Sequence, residues 1–167
     1  MSLRIYTIDD EAVRDISKEV TLKELESDKM QQFIDELVDA MERFDGIGIA
    51  ACQVGHTVRI FVVDKHYSKT DEHLVFINPR LVSLSEKKNT MEEGCLSVPG
   101  VYGPIERATK VRVKALDRNG KSLDIKAKGM YARILQHESD HLEGVLYIDK
   151  AIRTNKKERE QPILKHE

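Results

Sequence analysis

Residues 136–144 read Gln136-His137-Glu138-Ser139-Asp140-His141-Leu142-Glu143-Gly144. Two histidines four positions apart put both imidazoles on one face of a helix, where they can grip one metal ion. Glu138 stands beside them, placed to take a proton from a water that the metal activates. Met130, Ile134, Leu135 and Leu142 are apolar, so the helix predicted from Met130 to Leu142, flanked by Gly129 and Gly144, turns its histidines inward. The spacing also arises by chance on ordinary helices, and the pair alone does not separate a metal hydrolase from a structural helix. Two histidines also leave a site incomplete, because a catalytic zinc-type centre takes three protein ligands and keeps one open position.

A second cluster is Glu92-Glu93-Gly94-Cys95-Leu96-Ser97-Val98-Pro99-Gly100. Cys95 is a candidate third ligand, since a thiolate suits zinc or iron and Gly94 lets the backbone come close. A free cysteine is more often a small buried hydrophobe, and Glu92, Glu93 and Glu138 also fit ordinary solvated charges. The third cluster, Gly46-Ile47-Gly48-Ile49-Ala50-Ala51-Cys52-Gln53-Val54-Gly55, offers small residues along which a ligand can lie, with the Gln53 amide as donor. Its plain alternative is a glycine-rich turn into a core strand with Gln53 outside.

Around these clusters, helix and strand signals alternate. Phe33, Ile34, Leu37, Val38, Met41 and Phe44 recur every three or four residues and predict a helix over Asp28–Phe44. Ser27 or Asp28 caps it, and Gly46 is expected to end it in the left-handed conformation. A weaker helical stretch precedes it at Thr21–Glu26, where Thr21 and Glu24 have capping-box spacing. Arg59–Lys65 and Leu74–Ile77 are short, branched and aromatic, and predict strands, the second stopped by Asn78-Pro79. Lys110–Leu116 and Leu123–Ala127 alternate apolar with polar residues on either side of Asn119-Gly120, a tight-hairpin signal because both residues tolerate positive φ. The pattern is α+β: antiparallel or mixed β-sheets packed around a central metal-binding helix.

The 167 residues suit a single domain, with the charged stretch from about residue 150 to 167 as a peripheral tail. The 27 Lys+Arg and 29 Asp+Glu leave a net charge of −2, which argues against a dedicated nucleic-acid binder. The longest clean apolar run, Ile60–Val63, is far short of the roughly 20 residues of a membrane helix. The opening stretch holds acids and no apolar run, so no signal or transit peptide is expected, and two cysteines cannot build a disulfide framework. A cytoplasmic protein is expected.

Taken in this order, the three clusters resemble the signatures of the peptide deformylase family: a glycine-rich segment ending in Gln53, the Glu93-Gly94-Cys95-Leu96-Ser97 segment, and the Gln136-His137-Glu138-Ser139-Asp140-His141 helix. The resemblance runs from the first long helix to Asp149. It implies hydrolysis of the N-formyl group from the initiator methionine of newly made bacterial-type polypeptides, with release of formate. It assigns Cys95, His137 and His141 to one divalent metal, commonly Fe(II), with Zn, Ni or Co able to occupy the same site. Glu138 is implied as general base and then general acid, and the Gln53 side chain and Leu96 backbone N–H as donors to the formyl oxygen. Gly48 is implied to approach the substrate main chain. Ile47, Ile49 and Ile134 are candidate walls for the methionine side chain, from position alone. A thiolate ligand also implies sensitivity to oxygen and peroxide.

The chain departs from the family pattern in places. Cys52 stands where proline is commonest, and a packing role suits it better than a redox or ligand one. Tyr102 lies where some relatives place an arginine that contacts the substrate backbone, and the N-terminal segment lacks the usual Asp-Pro turn. Arg107 matches a family arginine and is expected to pair with Glu93 or Asp140. Lys156, Lys157 and Arg159 are candidates for a transient ribosome contact, offset by Glu158 and Glu160. Two rival readings are a peptidase using the same His-Glu-x-x-His grip and a non-catalytic relative that keeps the metal as a staple. The first would cut peptide bonds; the second calls for four protein ligands and dispensable Glu138 and Gln53.

Overall fold

The structure, a computed structural model, describes residues 2–152 and the backbone of residues 155 and 156. In chain order the helices are α1 (Leu22–Leu25), α2 (Asp28–Arg43), α3 (Lys65–Ser68) and α4 (Gly129–Leu142). The strands are β1 (Gly48–Ala50), β2 (Ile60–Val63), β3 (Leu74–Leu84), β4 (Lys88–Cys95), β5 (Val98–Ala108), β6 (Lys110–Leu116), β7 (Ser122–Lys128) and β8 (Asn155–Lys156). They form a five-stranded sheet in the order β1-β2-β3-β6-β7 and a three-stranded sheet in the order β4-β5-β8. Among the described residues every strand pair is antiparallel, and one isolated bridge, Lys18 to Val58, is parallel. The α+β expectation holds.

The unbroken apolar runs of β2 and β3 are explained by burial on both faces of the larger sheet. Ile60, Val62, Val75 and Ile77 point into one core with Phe33, Ile34, Leu37 and Met41 of α2. Phe61, Val63 and Phe76 point into the other, with Ile134, Leu135 and Leu142 of α4. Phe61 pairs directly with Phe76, ring centroids 4.8 Å apart, a cross-strand contact of about 0.2–1 kcal/mol. The sheet therefore lies between α2 and α4, and α4 is fixed by its own apolar residues beneath the second core.

The local signals near α2 behave as physics requires. Ser27 Oγ accepts from the Met30 N–H, and Thr21 and Glu24 form a reciprocal capping box. Asp45, not Gly46, takes the left-handed conformation after α2, with φ of 55°. Gly46 is small for a different reason: a Cβ there would meet the Gly48 carbonyl oxygen at 3.2 Å and side chains of Leu96 and Met41 at 3.4 Å.

Three strand expectations are corrected. Asn78-Pro79 does not stop the second strand; β3 continues to Leu84 through a register shift between Ile77 and Arg80. Asn78 adopts φ of 50° there, and its side chain accepts from the Val20 N–H and donates to the Val20 carbonyl, both at 2.8 Å. A bulge is where a sheet tolerates proline's missing N–H. The hairpin at Asn119-Gly120 has a longer loop than a two-residue turn, closed by the Asp117 N–H on Lys121, with only Gly120 at positive φ. Finally, β4 and β5 form a long hairpin where no strands were expected. Pro99, Gly100, Gly103 and Pro104 interrupt β5, and the exposed half of β4 carries polar residues, so neither strand shows clean alternation.

The expected peripheral tail lies largely outside the described residues. Among the described residues, no helix is long and apolar enough to cross a membrane.

Candidate metal centre and active site

On α4, Arg133, His137 and His141 recur every four residues and form one buried stripe. The end of β4 brings Cys95 against it: Cys95 Sγ lies 3.3 Å from His141 Nε2. One ligand atom from each of Cys95, His137 and His141 falls within 4.8 Å of the others, and all three residues are buried. For metal–sulfur and metal–nitrogen bonds near 2.3 and 2.1 Å, the edge of a tetrahedral site is about 3.6 Å, so a small closure around one ion suits these donors. Soft thiolate with two imidazoles fits a zinc- or iron-like ion, not calcium or magnesium. The structure thus brings together the three residues expected to bind metal.

The His137 ring is aimed by its neighbours. Its Nδ1 lies 2.8 Å from Glu93 Oε1, and a carboxylate there makes Nδ1 the protonated nitrogen and leaves Nε2 free for a metal. The Tyr147 ring is stacked 6.3 Å away, and its hydroxyl donates to the Val101 carbonyl at 2.5 Å. Burial pulls both histidines toward the neutral form. Hydrogen bonds to Cys95 and Glu93 overcome this at His137 and raise it, whereas the His137 and Arg107 charges push His141 further down.

Glu93 is no solvated charge. It is 1% exposed and accepts from His137, from Nε and Nη2 of Arg107 at 2.7 and 3.1 Å, and from Arg133 Nη1 at 2.6 Å. Burial would raise its carboxyl, but His137 and then Arg107 outweigh that and hold it down at about 2. Arg107 pairs with both of its expected partners, since Nη1 also donates to Asp140 Oδ2 at 2.9 Å. Gln136 spans to β5, exchanging hydrogen bonds with the Ala108 N–H and carbonyl, and so docks α4 on the hairpin that carries the cysteine.

Glu138 is buried on the same helix, and burial pushes its carboxyl up to about 7. Its Oε2 has no hydrogen-bond partner among the described residues. Such an orphaned oxygen beside the Cys-His-His set suits a group that meets a polar ligand or water there. Its other face packs on Gly48: a Cβ added at residue 48 would lie 2.7 Å from Glu138 Oε1. Gln53 sits in a single 3-10 turn, Ala51–Val54, after β1. Its Oε1 accepts from the Ala50 N–H at 2.9 Å, which turns Nε2 toward Cys95 Sγ at 3.4 Å and Ser97 Oγ at 3.2 Å. Leu96 lies between Cys95 and Ser97, its side chain buried.

The three isoleucines do not come together. Ile47 and Ile134 share the core on the α4 side, whereas Ile49 belongs to the core beneath α2. Strand alternation is the reason: Gly48 faces Glu138, so its neighbour Ile49 points through the opposite face of the sheet. Cys52 is buried in the α4-side core, its Sγ 3.5 Å from the His141 carbonyl. Burial, then Glu138 and Cys95, push its thiol up to about 12, which leaves it protonated and inert. Arg133 and Ser97 were not singled out from the sequence. For Arg133 a signal existed, its position one turn before His137 on the ligand stripe.

This fold and this buried Cys-His-His cluster with a carboxylate beside it define a metal-dependent hydrolase of the α+β class. Residues 2–157 match the family model for polypeptide deformylase. The chain is 46% identical over 151 residues to a peptide deformylase of Halothermothrix orenii, covering 90% of this chain and 94% of that one. It is similar to the crystal structure of a peptide deformylase from Legionella pneumophila, with a TM-score of 0.83 and 40% identity over 90% of this chain and 86% of that one. The Synechococcus elongatus peptide deformylase, solved in complex with actinonin, gives a TM-score of 0.83 and 36% identity, covering 90% of this chain and 79% of that one. The chain belongs to the polypeptide deformylase family, hydrolases that remove N-formyl groups from polypeptides in a metal-dependent reaction.

Proposed function

We propose that the chain, as one catalytic domain in the cytoplasm, hydrolyses the formamide of N-formyl-methionine at the start of new polypeptides, yielding formate and a free amino terminus. The observation that carries this reading is the convergence of Cys95, His137 and His141 within 4.8 Å, beside the buried Glu138. Cys95 Sγ, His137 Nε2 and His141 Nε2 are the proposed metal ligands, and Fe(II) is the proposed native ion, with Zn, Ni or Co as replacements. When bound, such an ion polarises the formyl group and lowers the pKa of water from about 15.7 to near 7.

The chain's own residues supply the rest. Glu138 takes a proton from the attacking water at its carboxylate and returns it to the departing amine. Gln53 Nε2, held by the Ala50 N–H on Oε1, and the Leu96 N–H donate to the formyl oxygen as negative charge gathers on it. Glu93 keeps the Nδ1 proton on His137. Ile47 and Ile134 are the proposed apolar walls for the methionine side chain, and Ile49 is withdrawn from that role. Gly48 has a double part, leaving space for Glu138 and for the substrate main chain.

The test is formate release from an N-formyl-Met peptide by protein prepared anaerobically and loaded with Fe(II), Ni(II) or Zn(II), beside Glu138→Ala. Release by the wild type with peptide bonds intact, and loss in a variant that still binds metal, is the expected result. No release from a folded, loaded protein, or cleavage of peptide bonds instead, overturns the reading.

A further inference from the structure

Arg133 heads the largest fully buried side chains among the described residues, and the chemistry proposed above gives it no task. A buried guanidinium is a poor filler: well-packed apolar residues of similar volume commonly serve a core as well or better. Its four contacts are specific. Nη1 donates to Glu93 Oε2 at 2.6 Å and to the Ile105 carbonyl at 3.1 Å; Nη2 donates to the Asn89 carbonyl at 2.9 Å and to Asn89 Oδ1 at 2.8 Å. These partners lie on both strands of the β4–β5 hairpin, and β4 also carries Cys95. Arg133 itself stands one turn before His137 on α4. It therefore joins the helix that bears the two histidines to the hairpin that bears the cysteine.

Glu93 shows why one arginine is not enough. Its Oε1 faces His137 Nδ1, and its Oε2 is held from two sides, by Arg107 and Arg133. Arg107 is shared with Asp140, so it can turn toward that second carboxylate, whereas the only carboxylate that Arg133 meets among the described residues is Glu93. A lysine at residue 133 keeps the charge but loses the planar fork that spans Glu93 and Asn89 together.

We infer that Arg133 is a positioning residue for the metal site: its guanidinium clamps Glu93 to the β4–β5 hairpin, so that His137 keeps its proton on Nδ1 and turns Nε2 toward Cys95 and His141. The inference rests on the metal-site reading above and extends it to a residue that touches neither metal nor substrate.

The experiment measures Zn(II) affinity by competition with a chelator for wild type, Arg133→Met and Arg133→Lys. It also records the nitrogen-15 shifts of His137 in each zinc-loaded protein. Both variants are expected to bind Zn(II) more weakly, by about 10–100-fold for Arg133→Met, with the His137 Nδ1 shift moving toward that of a weaker hydrogen bond to Glu93. Arg133→Lys carries the test if Arg133→Met does not fold. Wild-type affinity and an unchanged His137 Nδ1 shift in a folded variant overturn the role of Arg133, even if that variant melts earlier. A wild-type protein that fails to bind Zn(II) sinks the metal-site reading instead.

Discussion

Gly48 and the Glu138 carboxylate occupy adjoining space: a Cβ at residue 48 would fall 2.7 Å from Oε1 and 3.0 Å from Cδ and Cγ of Glu138. A carboxylate at the end of a side chain can usually swing away from such a clash. Glu138 is buried, with Cys52 and His137 near enough to feel its charge, and has little room to move. The strand that could have carried any small residue therefore carries the one residue with no Cβ.

Gly48→Ala is thus expected to displace the general base while leaving the ligands alone. An ångström of misplacement costs on the order of 100-fold in rate. The check is kcat/KM for deformylation beside metal content by elemental analysis; unchanged turnover would show that the carboxylate has freedom the packing denies it.

Gln53→Ala should lower kcat/KM by about 10²–10³, the usual effect of removing one donor to a developing oxyanion. Metal content should stay near that of the wild type, because Gln53 Nε2 approaches Cys95 Sγ only at 3.4 Å and is not in the ligand set. A fall in metal occupancy equal to the fall in rate would assign Gln53 to holding the cysteine.

Cys52→Ala removes a buried, protonated thiol that donates to the His141 carbonyl at 3.5 Å. The expected cost is about 1 kcal/mol of stability, with metal content and activity nearly unchanged. Thermal unfolding together with formate release checks this, and a large loss of activity at full occupancy would place Cys52 in the site.

Glu93 makes acid stability predictable in sign. Its folded carboxyl is held at about 2, down from the ordinary 4.5, so its contribution is complete above pH 4.5 and is lost as the pH falls toward 2. Glu93→Gln strips one carboxylate from two buried guanidiniums, and should cost about 3–5 kcal/mol near neutral pH. In chelator-treated protein, melting curves of wild type and variant are therefore expected to converge between pH 4.5 and 2. A constant gap across that range would contradict the depressed value.

The short-range features of this protein were legible in its residues. The three-to-four spacing from Phe33 to Phe44 marked α2, Thr21 and Glu24 marked a capping box that forms, and the interval between His137 and His141 marked one face of α4. Each depends on neighbours a turn or less apart, where backbone geometry alone decides which side chains meet. Glu138 was marked by its place beside the histidines, Cys95 and Gln53 by the chemistry of their own clusters, and the order of the three clusters implied their roles and the match of Arg107.

Long-range packing decided the rest. The breaker-rich hairpin of β4 and β5 exists because its strands pair with each other, and β3 passes Asn78-Pro79 because the bulge is tied to Val20. Ile49 lost its place in a pocket to the alternation of a strand buried on both faces. The burial of Glu93 and Arg133 could not be read from charged letters, which more often lie in water. What the sequence by itself determined was α1, α2 and α4 and the identity of the residues expected to bind metal and substrate. Only the tertiary structure decided which of them face one another, because a buried charge is tolerated solely where distant segments bring it partners.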